Sequence, residues 1–430
     1  MSKYLCILSL LLTVAIVNAF QNRLVSSKTR YRDLNSGDLE LPPGTDPSKA
    51  FMLLRNGISL IRDKPSNFEL VKSYQQTIKE NLKNNTVEKN EFLQAFAEWQ
   101  MPDIDRNKDP FLLESGKNEI KDLAHRLKSK LQGLFSHTYD AAKYPILAIP
   151  DKPSDKRSTL SAQVFLEAVF DTPFPHETIP TCHKEDLLLM NEHARTQDPK
   201  KDDFGIKNQK NVDDLIASPE FDGLRKRFAN KFQIDSDKVD YVTVKAFFEV
   251  CRSLRISTDS DNIVVCDALS EEDAAVLLRA DENYWALFTA SDNIYNAQMA
   301  CGMIEHIASF LKRDTPTPFF PMYCAHRSNN LVVTKALGLH PKENFDSSYY
   351  TAFNTNLLIL VFPKPDGEDD LVGIYVNETL TAIPLADGTL CDKFCPSSKV
   401  LEVLEQFLLN YKCEEVASGV HGYSYSHPKW

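Results

Sequence analysis

Three short clusters in this sequence carry side chains suited to holding an oxyanion. Arg55-Asn56-Gly57-Ile58-Ser59 follows the apolar run Ala50-Phe51-Met52-Leu53-Leu54, Lys156-Arg157-Ser158 opens a helical pattern, and Tyr323-Cys324-Ala325-His326-Arg327-Ser328 closes a second apolar run. Guanidinium groups offer paired, permanently charged donors, an imidazole adds a donor whose charge follows pH, and hydroxyls donate singly. Gathered around one strand edge, Arg55, Arg157, His326 and Arg327, with Ser59 as a hydroxyl donor, would bind phosphate or a phosphorylated ligand. Turnover asks for more: a nucleophile with an available lone pair and an acid with a transferable proton. The amide nitrogen of Asn56 is conjugated with its carbonyl and cannot form a phosphoryl intermediate. The two residues after His326 are Arg327 and Ser328, neither of them an acid. Ser59 has no neighbouring base to activate it. Arg-Asn-Gly after an apolar run is also a common turn, and these cations are equally of the kind that local carboxylates and carbonyls satisfy.

The elements that must position these clusters follow from periodicity and proline punctuation. Residues 50–54 read as a buried strand, and Ile120, Leu123, Ala124, Leu127, Leu131 and Leu134 put an amphipathic helix over 115–135. Residues 146–149 read as a strand, followed by a loop and a helix over 157–170. The middle third, 171–295, is charged and helical in pattern. A helix over 296–312, a strand over 319–325, a helix over 329–337, strands over 356–362 and 371–377, and a helix over 397–411 complete the series. An α/β sandwich with a helical insertion fits this order, and its active site would lie beyond the carboxyl ends of the strands. The domain reading is a leader over 1–19, an extended segment over 20–48, an α/β core from 49–170 and 296–413, a helical cap over 171–295 and a tail over 414–430.

Lys3, an apolar run from Tyr4 to Val17 and the Val17-Asn18-Ala19 pattern read as a secretory signal peptide cleaved after Ala19. No later segment reaches 18 apolar residues, so no membrane anchor is expected. Of nine cysteines, removal of Cys6 with the leader leaves eight, an even number that suits an oxidising compartment and allows about 105 pairings. Asn84-Asn85-Thr86 and Asn377-Glu378-Thr379 are glycosylation acceptors on that route. With 430 residues, 43% of them hydrophobic, the chain can bury a large core, and its net charge of -11 argues against nucleic acid as a partner. Cys391-Asp392-Lys393-Phe394-Cys395 lacks the second ligand pair of a zinc site, so neither a metal nor a cofactor is expected. His125, His183, His421 and His427 read as surface or capping histidines.

The apolar strand ending in Arg55-Asn56-Gly57-Ile58-Ser59 resembles the Arg-His-Gly-x-Arg motif of the histidine phosphatases, and Tyr323 to Ser328 resembles the segment of their second histidine. Arg157 before Ala162-Gln163-Val164-Phe165-Leu166 is similar to the family's third anion-binding element. Within the family the likeness is to the multiple inositol polyphosphate phosphatases. It extends over Ser27-Lys28-Thr29-Arg30-Tyr31, Phe247-Phe248-Glu249-Val250-Cys251 with Cys266, Tyr284-Trp285 before Cys301, and Val376-Asn377-Glu378-Thr379 before Pro384. The resemblance implies the histidine-phosphatase fold, a mixed central sheet flanked by helices with a helical cap. It implies phosphate contacts at Arg55, Ser59, Arg157, His326 and Arg327. It also places Asn56 where the nucleophilic histidine would stand, Ser59 at the motif's second arginine and Ser328 at a proton-donor position. Disulfides Cys251–Cys266, Cys391–Cys395 and Cys182–Cys413 are implied as well, which leaves Cys301 for Cys324. Three functions remain in play: a secreted pseudophosphatase that binds phosphate or an inositol polyphosphate, an active acid phosphatase with a rewired site, and a secreted scaffold with an empty pocket.

Overall fold

The computed structural model describes residues 28–34, 38–59, 65–101, 112–135, 138–149, 156–182, 204–257, 263–289, 294–314, 318–340, 346–364 and 368–418. The expected leader, together with His183, His421 and His427, lies outside them. In chain order the main elements are β1 (Lys49–Arg55), α1 (Pro65–Lys83), α2 (Glu91–Glu98), α3 (Glu114–Lys130), β2 (Ile146–Ala148) and α4 (Arg157–Phe170). Then come α5 (Phe204–Ile216), α6 (Pro219–Phe232), α7 (Tyr241–Ser257), α8 (Glu271–Thr289), α9 (Cys301–Lys312), β3 (Met322–Ala325) and α10 (Arg327–Ala336). The chain closes with β4 (Asn356–Phe362), β5 (Leu371–Val376), β6 (Thr379–Leu380), β7 (Phe394–Pro396), α11 (Ser397–Asn410) and α12 (Cys413–Ala417).

The chain divides into two compact units. The larger, residues 30–59, 111–205 and 285–430, is built on a mixed sheet in the order β2-β3-β1-β4-β5-β6, with β7 paired to β5. The strands β1, β2 and β3 run parallel and β4 and β5 antiparallel, with Leu54 opposite Cys324 and Asn356. Every residue of β1, β3 and β4 is buried, which is why these strands read as unbroken apolar runs. The pleat sends Met52, Leu54, Met322, Cys324, Leu358 and Leu360 to one face, where they pack with Ile120, Leu123 and Leu127 of α3 and Ala162, Phe165 and Leu166 of α4. On the other face the Phe51 ring stands 5.7 Å from Phe310 of α9 and 5.3 Å from Tyr323. Lys49 Nζ donates to the carbonyls of Phe310, Leu311 and Arg313, so a cation meets the negative C-terminal end of α9.

The smaller unit, residues 1–29, 60–110 and 206–284, is helical where described. It takes in residues 60–110 besides the helices of the middle third, because Tyr74 of α1 and Phe92 and Phe96 of α2 pack edge-on against Phe228, Phe232 and Phe247. Ring centroids there are 5.2–6.3 Å apart, the spacing at which aromatic quadrupoles attract.

Several expected boundaries move for local reasons. The helix expected over 115–135 stops at Lys130, because Leu131 leaves helical geometry (φ -115, ψ 47), and a short turn over Gln132–Phe135 follows. The strand expected from 319 begins at Met322: Pro321 has no N–H to give the ladder, and Phe319 keeps only an isolated bridge to Lys49. The disulfides also need one correction. Cys251–Cys266 and Cys391–Cys395 form, but Cys413 is bonded to Cys301, not Cys182. Cys301 opens α9 and Cys413 opens α12, which packs on it, whereas Cys182 lies beside β2 with its N–H on the Ala148 carbonyl. Cys324 cannot reach Cys301 because the pleat turns its thiol toward Ser161 and Ala162 of α4, the face opposite α9.

Candidate functional site

The carboxyl ends of β1 and β3 lie side by side, since the strands are parallel with Arg55 opposite Ala325. Backbone bonds fix the chain beyond them. The Asn56 N–H donates to the Ala325 carbonyl at 2.9 Å, and Asn354, just ahead of β4, donates its N–H to the Asn56 carbonyl at 3.5 Å. Gly57 N–H donates to Ser161 Oγ of α4 at 3.0 Å, and the Ile58 carbonyl accepts from Leu113 N–H at the start of α3 at 2.9 Å. The fit against α3 is close enough to require glycine at 116, where a Cβ would come within 2.4 Å of the Ile58 carbonyl oxygen.

This clamping brings Asn56 and His326 into contact: His326 Nδ1 lies 3.1 Å from Asn56 Oδ1. Asn56 Nδ2 donates to the Gly57 carbonyl at 2.9 Å, which leaves the amide oxygen facing the ring. His326 has extended backbone at the N-cap of α10 and donates its N–H to Asn329 Oδ1 at 3.1 Å. Asn56, Ser59 and His326 are all buried. Arg55 is buried too; its guanidinium donates to the Thr351 carbonyl and lies 4.0 Å from the centre of the Phe353 ring. Arg327 and Ser328 open α10, half-buried, with the Arg327 guanidinium 4.2 Å from the centre of the Trp285 ring. Arg157 opens α4, whose first turn is held at the end of β2 by Ser158 Oγ donating to the Ile149 carbonyl.

Behind the Asn56 turn lies a buried polar network that sequence reasoning did not find. Glu119 of α3 accepts from the Tyr31 N–H at 3.2 Å and from Asn354 Nδ2 at 3.3 Å, and burial pushes its carboxyl up to about 7. The Tyr31 hydroxyl donates to Glu378 at 2.9 Å, and Arg126 holds both oxygens of Glu378 at 3.0 and 2.7 Å. The signal for Glu119 was present in the sequence: it occupies the stripe of Gly116, Ile120, Leu123 and Leu127 on the buried face of the helix. His125, on the same helix, is exposed.

Asn377 belongs to this network rather than to the surface, which overturns its reading as a glycan acceptor. It is fully buried, its Oδ1 accepts from the Asn356 N–H, and Nδ2, the atom a sugar would occupy, donates to the Tyr349 carbonyl at 2.6 Å. Asn377 and Glu378 both have positive φ (52 and 63), the backbone a tight hairpin needs between β5 and β6. The other acceptor, Asn84, is exposed in the turn that follows α1.

No protein-family model and no curated protein matches the sequence. Solved structures do. The phytase from D. castellii superposes with a TM-score of 0.61 at 14% identity, covering 90% of this chain and 85% of that one. The Bifidobacterium longum multiple inositol polyphosphate phosphatase gives 0.62 at 11% identity as its inositol hexasulfate complex and 0.64 at 10% as its phosphate complex. In both cases 89% of this chain and 97% of that one are covered. The chain has the histidine acid phosphatase fold. The turn after β1 and the residue after β3 share one sheet edge, where Asn56 and His326 meet. At such identities the likeness is one of backbone path, so the chemistry of the edge has to be argued from its own side chains.

Proposed function

We propose that this protein is a secreted, catalytically impaired histidine acid phosphatase that binds a phosphorylated ligand at the β1–β3 edge without hydrolysing it. The observation that carries this reading is the Asn56 carboxamide, seated after β1 with its nitrogen on the Gly57 carbonyl and its oxygen on His326 Nδ1. An amide so placed offers no lone pair to phosphorus, and Ser328, after His326, offers no transferable proton at neutral pH. Anion binding needs neither. Arg55, Ser59, Arg157, His326 and Arg327 supply charge and donors, and the start of α10 adds backbone N–H groups with the positive end of a helix dipole. Solved relatives in fold carry phosphate and inositol hexasulfate, which makes an inositol polyphosphate the first ligand to try. Export is supported by three disulfides, which suit an oxidising compartment, and an exposed Asn84 is open to a glycan. Among the described residues no helix is long and apolar enough to cross a membrane.

Phosphate release from phytate and from an aryl phosphate, followed from acid to neutral pH, should stay at background. Turnover that disappears in Arg157→Ala would overturn the reading in favour of a working phosphatase. Calorimetry with inositol hexakisphosphate should show binding that Arg157→Ala weakens by about tenfold or more, the loss of one charge-assisted partner.

A further inference from the structure

Asn354 is fully buried, yet only one end of its amide is used: Nδ2 donates to Glu119 Oε2 at 3.3 Å, while Oδ1 meets no donor. Glu119 is one-sided in the same way. Its Oε2 takes both the Tyr31 N–H and the Asn354 amide, Oε1 takes neither, and among the described residues no cation touches the carboxyl. A buried carboxylate without a cation and a buried amide oxygen without a donor are each costly. One hydrogen removes both costs. Placed on Oε1, it makes an acid that donates to Asn354 Oδ1 while Oε2 goes on accepting from Nδ2, so acid and amide close a ring of two hydrogen bonds. Asn356 Oδ1 also lacks a donor, but its Nδ2 serves the Tyr31 hydroxyl and the Asn354 carbonyl, and it makes no bond to Glu119.

We infer that Glu119 and Asn354 form a protonated acid–amide latch that holds the Asn56 turn from behind and weakens as pH rises from acid toward neutral. The latch reaches the turn through the backbone. Asn354 donates its N–H to the Asn56 carbonyl at 3.5 Å, and the next carbonyl, that of Thr355, accepts from the Arg55 N–H at 2.8 Å. The helix that carries Glu119 meets the same turn at Gly116, three residues earlier on its buried face. Closed, the latch ties α3 to the two residues that end β1 and begin the turn. It acts on the scaffold of the edge, whatever ligand the edge takes.

The groups packed around Glu119 are consistent with a proton held there. From the segment ahead of β1 come Tyr31, kept neutral by burial and by Glu378, and Arg32 and Asp33, whose charges act on Glu119 with opposite signs. The Asp33 carboxyl is itself raised by burial. Glu378, from the turn between β5 and β6, accepts from the Tyr31 hydroxyl and is held by Arg126 of α3. Asn56, Asn354 and Asn356 bring only amides. With burial raising its carboxyl to about 7, Glu119 keeps its proton in the closed latch up to that pH, while an opened latch returns it to the ordinary glutamate range and releases the proton. Opening therefore becomes easier by up to about tenfold per pH unit from about 4.5 to 7, and no easier above.

Crystals of the full chain grown at pH 5 should bring Glu119 Oε1 and Asn354 Oδ1 to about 2.7 Å, an approach that two oxygens make only with a hydrogen between them. In carbon-13 spectra the Glu119 carboxyl should titrate near 7, and the Asn354 side-chain amide should shift with it. Hydrogen exchange, referred to the intrinsic rate at each pH, reads the latch itself. Protection of the Tyr31 and Asn354 backbone N–H groups should fall about tenfold or more from pH 5 to pH 7. Glu119→Gln imitates the acid, with one donor and one acceptor for Asn354, and should be equally protected at both. Asn354→Gly suits the left-handed backbone there (φ 58) and removes the amide, so exchange at 31 should still follow pH while exchange at 354 should not. His326→Gln and Asp33→Asn should both keep the wild-type step. Oxygens farther apart than a hydrogen bond at pH 5, a Glu119 titration in the ordinary glutamate range, wild-type exchange that is flat with pH, a step lost in His326→Gln or Asp33→Asn, or exchange at 354 that follows pH equally in Asn354→Gly would each overturn the inference.

Discussion

Glu249 in the helical unit, with 17% of its side chain exposed, and Glu119 in the sandwich, buried, are both largely withdrawn from water, yet folding moves their carboxyls in opposite directions. Burial alone would raise each. At Glu249 the Arg252 guanidinium at 2.8 Å and the Lys28 ammonium at 2.5 Å more than reverse that effect and hold the carboxyl well below the usual range. Arg252 in turn reaches Asp281 at 2.9 Å, so two cations and two carboxylates close a network among themselves. At Glu119 the hydrogen bonds come from neutral donors, the Tyr31 N–H and the Asn354 amide, and burial prevails. The helical unit thus uses paired charge to fasten its own core, while the sandwich keeps a carboxyl near neutrality behind the edge that carries Asn56 and His326. A charge already matched inside the fold has a structural task; a group left near its titration point is the kind that function recruits.

The largest effect expected from this contrast is on Glu249→Gln. Folding depresses the Glu249 pKa, so its stabilisation is complete above the ordinary glutamate range and drains away as pH falls toward the depressed value. At pH 7 the substitution leaves Lys28 and Arg252 facing a neutral amide and should cost about 3–5 kcal/mol in urea unfolding. The cost should shrink below about pH 4, where the unfolded glutamate takes up protons as well. An unchanged midpoint at pH 7 would mean that the ion network contributes no net stability.

Glu119→Gln should act with the opposite sign. Its folded pKa lies above the unfolded one, so the folded state holds its proton between about pH 4.5 and 7 while the unfolded state releases it. Stability therefore falls as pH rises through that window, by up to about 3 kcal/mol in all, and stays lower above it. A glutamine oxygen can still accept from Tyr31 and Asn354. The variant should match the wild type at pH 4.5 and exceed it at pH 8 by a large part of that amount. A variant less stable than wild type at pH 8 would show that Glu119 is ionised and held by charge after all.

The two regions also differ in how far they could be read from the chain. The strands over 49–55 and 356–362 and the helix over 157–170 were legible because both faces of the sheet are buried and the flanking turns are punctuated by Asn, Gly and Pro. Asn56 and His326 could be picked out by type and by the strands before them. Their contact could not, because it depends on a parallel pairing across 270 residues and on an amide whose orientation is set by a backbone carbonyl. Glu119 passed unnoticed and Asn377 was misread for a shared reason: only tertiary packing shows that their partners, Tyr31 and Asn354 for one and Tyr349 and Asn356 for the other, are buried with them. The exchange of Cys182 for Cys301 as partner of Cys413 has the same origin, since pairing follows which helix packs on which.

A third carboxyl sharpens the comparison with the smallest of these effects. Glu378 is more deeply buried than Glu249, with 4% of its side chain exposed against 17%, but among the described residues its one cationic partner is Arg126, 46% of whose side chain faces solvent. Water already screens that guanidinium, and the Tyr31 hydroxyl would go on donating to Glu378 if Arg126 were lost. Arg126→Gln should therefore cost about 1–2 kcal/mol, less than Glu249→Gln, and the cost should diminish in high salt as the buried pair's does not. Tyr31 serves Glu378 through its hydroxyl and Glu119 through its N–H, so Arg126→Gln and Glu119→Gln should combine non-additively by about 0.5 kcal/mol or more. A loss from Arg126→Gln equal to that from Glu249→Gln would break the contrast, because the exposure of the partner would then count for nothing and burial of the carboxyl alone would set the energy.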